Sequence, residues 1–476
     1  MNQLGGESRL SVKLFSCAEY GPGRFLGISP REKAGNVEFM SSSSFAQRLA
    51  VTGSLPRLGA TNRAPVRIGF LTPLSGPEEI WGRPGLDGCR IWSDWINEAG
   101  GLMIAGKRQR VEITAHDSAR APEETLAAAR DMVENQRVKL VLTLGGDSFA
   151  PALAYLMERR VLVATLLPSD LSPDTPYLIA PAEVHPLFNV TGVDWLARHR
   201  PAARRVALCS QSDSLGLPSL AVYRAAFEAA GRRMVSEIRY APQTRDAAGI
   251  VRAMLTQAPD VLCWCSSAPP MMQALTEAAH AQGFQGEILA CTADDYPRMI
   301  ARTSPEFMAR YTFQFPDFDD PKLAETAFFF RRPKAFFEAY AARFPGEWSA
   351  VSWEYASILD LWHNAVELAD TTEPVSVLAA MKRGQDMPHA FGPARWWGAE
   401  IFGIDNALVG DWPVVRIVEG RARIVEFGSV MGWLSHHGPL LARHLGELGQ
   451  LWNQRLAARP PALKAPASRA SGPRSA

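Results

Sequence analysis

From residue 64 onward, short apolar runs alternate with longer stretches in which apolar positions recur every three or four residues. Val66 to Leu71, Val111 to His116, Val138 to Leu144 and Val161 to Leu166 are strand-length and rich in Val, Ile and Leu. Leu86 to Glu98, Pro122 to Asn135 and Phe149 to Arg159, between them, carry the helical period. The rhythm then restarts, with strands at Arg205 to Ser210, Val235 to Tyr240, Val261 to Cys265 and Ile288 to Thr292. Its helices are Leu217 to Ala230, Asp246 to Gln257 and Pro270 to Gln282. Strands that alternate with helices need crossover connections, which make parallel sheets covered on both faces. The pattern therefore predicts an α/β chain with two doubly wound parallel-sheet lobes. Ligands of such sheets lie beyond the carboxyl ends of the strands, so the informative loops are 72–83, 144–149, 165–176, 211–216, 266–269 and 292–297.

The two ends lack this rhythm. Residues 1–63 contain Ser- and Gly-rich stretches and read as a leader or disordered extension. No uninterrupted apolar core of a secretory signal is recognisable, because Gln47, Arg48, Thr52, Pro56 and Arg57 break the run from Phe45 to Ala60. Residues 429–476 read as an amphipathic helix, with Leu440, Leu441, Leu445, Leu448 and Leu451 on its period, followed by a disordered Pro/Ala/Arg/Ser tail. Residues 1–63 and 459–476 lack the apolar period needed to pack on the lobes, so both ends are expected to be dispensable and a chain of residues 64–432 is expected to fold and keep its affinity.

Composition narrows the function. A chain of 476 residues, 47% of them apolar, can bury several cores. Fifty Lys and Arg against 49 Asp and Glu give a formal charge of +1, which leaves no surplus field for nucleic acid or an anionic bilayer. The apolar runs are strand-length, too short to cross a membrane, so no stable membrane insertion is expected. Of the six cysteines, Cys209, Cys263, Cys265 and Cys291 fall in strand-like runs and read as small core residues. The Cys263-Trp264-Cys265 pair has no second pair to complete a zinc set, so neither metal nor cofactor is expected.

Two motifs need weighing. Gly101 to Lys107 spells GLMIAGK, but Arg108 stands where a phosphate loop needs Ser or Thr, and the segment follows a helix instead of preceding one. A Gly-rich helix stop accounts for it. Gly146-Asp147-Ser148-Phe149-Ala150 approaches a nucleophile elbow at a strand-to-helix turn, with Asp294 and His363 following in order. His363 falls within the helical run Glu354 to Ala369, and Ser148 reads equally as a helix cap. Trp264 reads as core, Trp396 and Trp397 as packing between lobes, and His436, His437 and His444 as solvated.

The order of these segments resembles the type I extracytoplasmic solute-binding proteins of ABC importers, in the branched-chain amino acid and amide group. The resemblance rests on VRIGFLTPLSG (Val66 to Gly76), Trp81-Gly82, the helix end Ile96-Asn97-Glu98-Ala99-Gly100-Gly101 and Val111-Glu112-Ile113. It continues through Val206 to Gly216, Asp260 to Ser267 and Phe402-Gly403-Ile404-Asp405-Asn406, and it covers about residues 64 to 428. It implies two lobes joined by three crossovers near 182–186, 315–320 and 392–398, with lobe 1 as 64–183 plus 318–394 and lobe 2 as 184–317 plus 395–428. It also implies a small polar or amphipathic solute held between the lobes and delivered to importer permease subunits in the periplasm, without catalysis. The implied ligand contacts are Ser75 and Trp81 after the first strand, Gly146 and Ser148 after the third, Thr165 and Ser169 after the fourth, and Ser267 and Asp294 on the second wall. An ammonium would be met by one of Asp147, Asp213, Asp294 or Glu183, with Asp294 first. Leu215-Gly216 stands where the family usually has Tyr-Gly, which replaces an aromatic lid by an aliphatic one. Two alternatives stay open: a cytoplasmic amide or amino acid sensor regulating a partner protein, and a serine hydrolase using Ser148.

Overall fold

The structure, a computed structural model, describes residues 64–119, 121–182, 184–325, 332–383 and 387–458. The expected leader, the tail after residue 458 and Glu183 lie outside the described residues. The first sheet contains β1 (Val66–Thr72), β4 (Val111–Asp117), β5 (Leu140–Thr143), β6 (Leu162–Thr165) and β7 (Leu178–Ile179) in the order β4-β1-β5-β6-β7, all parallel. Between β1 and β4 lies a small hairpin of β2 (Leu102–Ile104) and β3 (Lys107–Gln109). The GLMIAGK segment is therefore a strand pair turning at Ala105-Gly106, more structured than the expected helix stop.

The second sheet adds β8 (Arg205–Gln211), β9 (Arg233–Tyr240), β10 (Val261–Trp264), β11 (Glu287–Ala290) and β12 (Tyr311–Phe313). After β13 (Met387–His389), β14 (Gly392–Trp397) and β15 (Ala407–Gly410) come β16 (Trp412–Val418) and β17 (Arg421–Gly428). The order β17-β16-β12-β11-β10-β8-β9 is parallel except for β16 and β17 at one edge, which run antiparallel. All four residues of β5 and of β10 are buried, as expected for strands covered on both faces. The α/β, two-lobed fold is thus as the apolar pattern predicts.

The third crossing differs from its expected place. β13, β14 and β15 form an antiparallel sheet, and Leu408 N donates to Ala180 O (2.9 Å) just beyond β7. Residues 395–410 therefore stand beside the first lobe, and the chain enters the second sheet at Trp412, not at 395. Trp396 donates to Met381 O (3.0 Å) and Trp397 packs edge-on against Phe402, so both belong to this extension.

A second difference concerns helix Glu79–Glu98, which begins well before the expected Leu86. Gly82, Pro84 and Gly85 argue locally against a helix there. Tertiary contact overrides that propensity. A methyl on Gly82 would fall 1.5 Å from Pro73 O, one on Gly85 2.4 Å from the Tyr355 ring, and one on Gly88 2.0 Å from Ser352 O. Only glycine lets this helix lie so close to the end of β1 and to helix Val351–Ala369. Pro84 cannot supply an amide to Ile80 O, which instead accepts from Ser349 Oγ (3.3 Å).

The C-terminal region also packs more closely than expected. Helix Val430–Glu447 lies on helix Gly216–Ala229 of the second lobe and buries Trp433, Leu434, Leu441 and Leu445. His444, expected to be solvated, is buried and lies 2.9 Å from Glu228. The following helix, Trp452–Ala458, sets Trp452 against Gly403 beside the first lobe. Among the described residues no helix is long and apolar enough to cross a membrane.

Candidate ligand-binding site

Six strands end around one cavity, and each of the six loops named from the sequence contributes a wall residue. Trp81 follows β1, Leu144 follows β5, Leu166 and Leu167 follow β6, Leu215 follows β8, Ser266 and Ser267 follow β10, and Thr292 follows β11. His185 and Phe315 come from the crossing segments, and Ala350, Val351 and Glu354 from the start of helix Val351–Ala369. The space is partly open to solvent, and most of its wall is apolar.

The lobes meet across this cavity at Asp294. Its carboxylate accepts from Trp81 Nε1 (3.0 Å), from Thr292 Oγ1 (2.9 Å) and from the Ala350 amide (3.3 Å). Trp81 and Ala350 belong to the first lobe and Asp294 to the second, so one buried carboxylate spans the cleft. The Ala350 amide stands at the N-terminus of a long helix, where the aligned peptide dipoles favour a negative charge. Asp294 is therefore engaged by protein donors, and it is not among the residues that line the cavity.

The other expected contacts divide. Trp81 and Ser267 line the cavity, although Trp81 stands in the first turn of a helix and not in a loop. Ser267 is hydrogen-bonded to Tyr240, whose phenol burial pushes well above its usual range. Ser75 is exposed and donates to Asp117 (2.6 Å), away from the cavity. Thr165 spends its hydroxyl on the carbonyls of Leu144 (3.0 Å) and Leu167 (3.1 Å), which fixes the loop instead of facing a ligand. Ser169 lines a second cavity, shared with Pro218, Leu445 and Arg455, and His185 borders both. Gly146, with φ of 94°, and Ser148 are not among the residues lining the cavity; Gly146 faces Ser214 of the other lobe.

Glu78, Asp147 and Asp213 interact electrostatically with one another. Burial, then Asp213 and Asp147, raise the Glu78 carboxyl above its usual range. Burial, then Asp170 and Asp213, raise Asp147, opposed by a hydrogen bond from Ser214 and by Arg455. Asp213 itself accepts from the amides of Leu215 (3.1 Å) and Gly216 (2.9 Å), so it shapes the start of the next helix and holds Leu215 at the cavity wall.

Sequence reasoning missed His185 and Glu354. His185 Nε2 lies 3.2 Å from Ser266 Oγ and its Nδ1 3.6 Å from Cys291 Sγ. Ser266 has φ of 51°, a left-handed conformation uncommon for serine, which turns its side chain to the hinge. The signal for Glu354 was a single carboxylate in the apolar face of a helix, where charge is seldom found. The hydrolase order does not assemble: His363 Nε2 lies 3.1 Å from Glu367 and its ring packs on Trp92, while Asp294 holds Trp81.

A model of the family described as periplasmic binding protein matches residues 65–422. The chain belongs to the periplasmic binding protein family. A Leu/Ile/Val-binding protein homolog from Brucella melitensis biotype 1 is 29% identical over 140 residues, and the match spans 34% of that protein's length and 29% of this chain. Among solved structures, an ABC-transporter solute-binding protein from R. palustris in complex with 4-hydroxybenzoate superposes with a TM-score of 0.63 at 17% identity, covering 77% of this chain and 97% of that one. A leucine-binding protein from Thermotoga maritima superposes at 0.61 and 17% identity over 76% and 98% of the two chains. A branched-chain amino acid transporter substrate-binding protein from Streptococcus pneumoniae, in complex with isoleucine, gives 0.60 and 16% over 77% and 100%. The likeness confirms the type I fold of this family member. Its family match stops at residue 422, before the C-terminal helices begin.

Proposed function

We propose that this protein holds one small molecule, with an apolar body and a single polar end, between its lobes and presents it to the permease of an ABC importer outside the cytoplasm. The observation that carries the reading is the cavity walled by both lobes and the crossing segments, at the carboxyl ends of both sheets. Leu144, Leu166, Leu167, Leu215 and Met272 offer an aliphatic body its contacts, while His185 and Glu354 offer the polar ones. Isoleucine, which one structural relative holds, has this build; 4-hydroxybenzoate, held by another, adds a second polar group at the far end of its ring. Binding on two lobes shifts a hinge equilibrium toward the closed form, which a permease can distinguish from the open one.

The test fills the cavity. Leu215→Trp places a large ring in the wall without touching the Asp294 contacts. Native mass spectrometry of the purified wild type should show a retained small molecule, and the variant should lose it while keeping its melting temperature. An equal ligand content in both proteins would place binding elsewhere.

A further inference from the structure

Four cysteines belong to the second lobe, and the structure separates one of them from the rest. Cys209, Cys263 and Cys265 are fully buried; burial pushes the thiols of Cys209 and Cys265 well above the usual range and raises that of Cys263. None of these three is among the residues lining the ligand cavity. Cys291 is, together with Met272, Thr292 and His185. The apolar run that marked it as core in the sequence continues past it, but β11 stops at Ala290, which leaves Cys291 at the strand's end.

His185 Nδ1 stands 3.6 Å from Cys291 Sγ, and Nε2 stands 3.2 Å from Ser266 Oγ. A neutral imidazole has one donor nitrogen and one acceptor. With Nε2–H donated to Ser266 Oγ, Nδ1 is the acceptor and takes the S–H of Cys291. A thiol, a base and a third group that orients the base are the parts of an activated nucleophile. They come from separate stretches of chain, the end of β11, the first crossing segment and the loop after β10, and all three line the cavity. Ser266 is aimed from a left-handed conformation, φ of 51°, a strain found mostly where a side chain's position matters.

Thiol–disulfide exchange needs a thiolate and an acceptor for its proton, which this pair supplies. Acyl transfer needs, in addition, donors aimed at a developing oxyanion, whereas most of this wall is apolar. We propose that Cys291, with His185 as its base, is a nucleophilic site in the cavity that takes up a small disulfide as a mixed disulfide. Small disulfides persist outside the cytoplasm, where the proposed function sets the protein. The thiol proton moves to His185 Nδ1 and the sulfur attacks one sulfur of the disulfide. The old S–S bond breaks as the new one forms, and the leaving thiolate collects the proton. One small thiol is released for each group bound, and no further oxidant or reductant takes part. The group left on Cys291 fills the cavity, so the modified protein holds no solute; this consequence rests on the ligand-binding reading given above.

The probe is bis(2-hydroxyethyl) disulfide, added to the whole folded chain with Cys17, which lies outside the described residues, changed to serine. Peptide mapping by mass spectrometry should find the adduct on Cys291 at least about tenfold ahead of Cys89, Cys209, Cys263 and Cys265, and a reductant should remove it. His185→Asn should slow the reaction at least about tenfold, measured against the same variant's rate in denaturant. Ser266→Ala should slow it roughly threefold, and Ser266→Asn, which restores a hydrogen-bonding group on a residue that accepts the left-handed conformation, should recover the rate. Native mass spectrometry should show no molecule that carries both the adduct and the retained solute. No adduct, equal rates at the five described cysteines, or a rate indifferent to His185 would overturn the thiol assignment and leave the cavity reading in place. Molecules carrying both adduct and solute would leave the thiol site standing and overturn the cavity reading. Should His185→Asn fail to fold, the order of the cysteines in the parent chain decides the matter.

Discussion

Among the described residues, two contacts between the lobes are built differently. At Asp294 they meet through one carboxylate and its hydrogen bonds to Trp81 and Ala350, inside the segment that the family shares. Around Asp147 they meet through the Ser214 hydroxyl, with Arg455 nearby, and here helices Val430–Glu447 and Trp452–Ala458 add packed apolar area that bears on both lobes. Each hydrogen bond is worth about 1 kcal/mol net, so the first junction breaks and reforms readily. Burial scales with area, so the second is the stronger tie. A hinge with one weak and one strong junction opens first at the weak one, which here is the side where Trp81 borders the cavity.

The largest expected effect follows from removing the strong junction. A chain ending at residue 429 loses the burial of Val430, Trp433, Leu434, Leu441 and Leu445 and uncovers helix Gly216–Ala229. We expect a loss on the order of 5 kcal/mol, read from the midpoint of denaturant unfolding. The sequence alone had marked this end as dispensable; an unchanged midpoint would restore that view and remove the contrast between the junctions.

A smaller effect is expected at the floor of the first-lobe wall. Gly88→Ala puts a methyl 2.0 Å from Ser352 O and must push helix Val351–Ala369 away from its partner. About 1 to 3 kcal/mol of stability should be lost, together with ligand affinity, because the same helix carries Ala350 and Glu354. Stability lost without affinity would mean that the start of this helix is not part of the binding wall.

How far the sequence led is visible in these residues. The strand ends were legible because parallel strands are continuous apolar runs, and the ends of strands locate the loops that carry Trp81, Leu215 and Ser267. Which side chain of a loop faces inward was not legible, since Thr165 and Ser75 are as polar as Ser267 but are bound to backbone or to Asp117. Glu354 and the early turns of helix Glu79–Glu98 escaped for the same reason. Both depend on the contact of one helix with another far along the chain, through Gly85 and Gly88, which no local pattern records. The C-terminal helix had a clear apolar period, but nothing in a period says which surface receives it.

The weak junction itself can be tested with Trp81→Phe, which keeps an aromatic ring in the wall and removes only the donor to Asp294. The loss should be about 1 kcal/mol, or roughly fivefold in affinity for the retained ligand, with a larger radius of gyration for the free protein in small-angle scattering. A radius equal to that of wild type would show that the Asp294 contact does not set the degree of closure.

The smallest effect is on pH, and its sign is set by the carboxylates at the other junction. Glu78 has its carboxyl raised by burial and then by Asp213 and Asp147, and Asp147 has its own raised by burial and then by Asp170 and Asp213, with Ser214 and Arg455 opposing the shift at Asp147. An acid raised in the closed form binds more protons there than in an open form that exposes it to water. The closed form therefore gains as pH falls through the raised values toward the ordinary carboxylate range, and loses as pH rises through the same window. Scattering of the ligand-free protein should give a smaller radius at about pH 5 than at about pH 7. Replacing both acids, Glu78→Gln with Asp147→Asn, should flatten the dependence. A radius that grows on acidification would mean that these carboxylates do not govern closure.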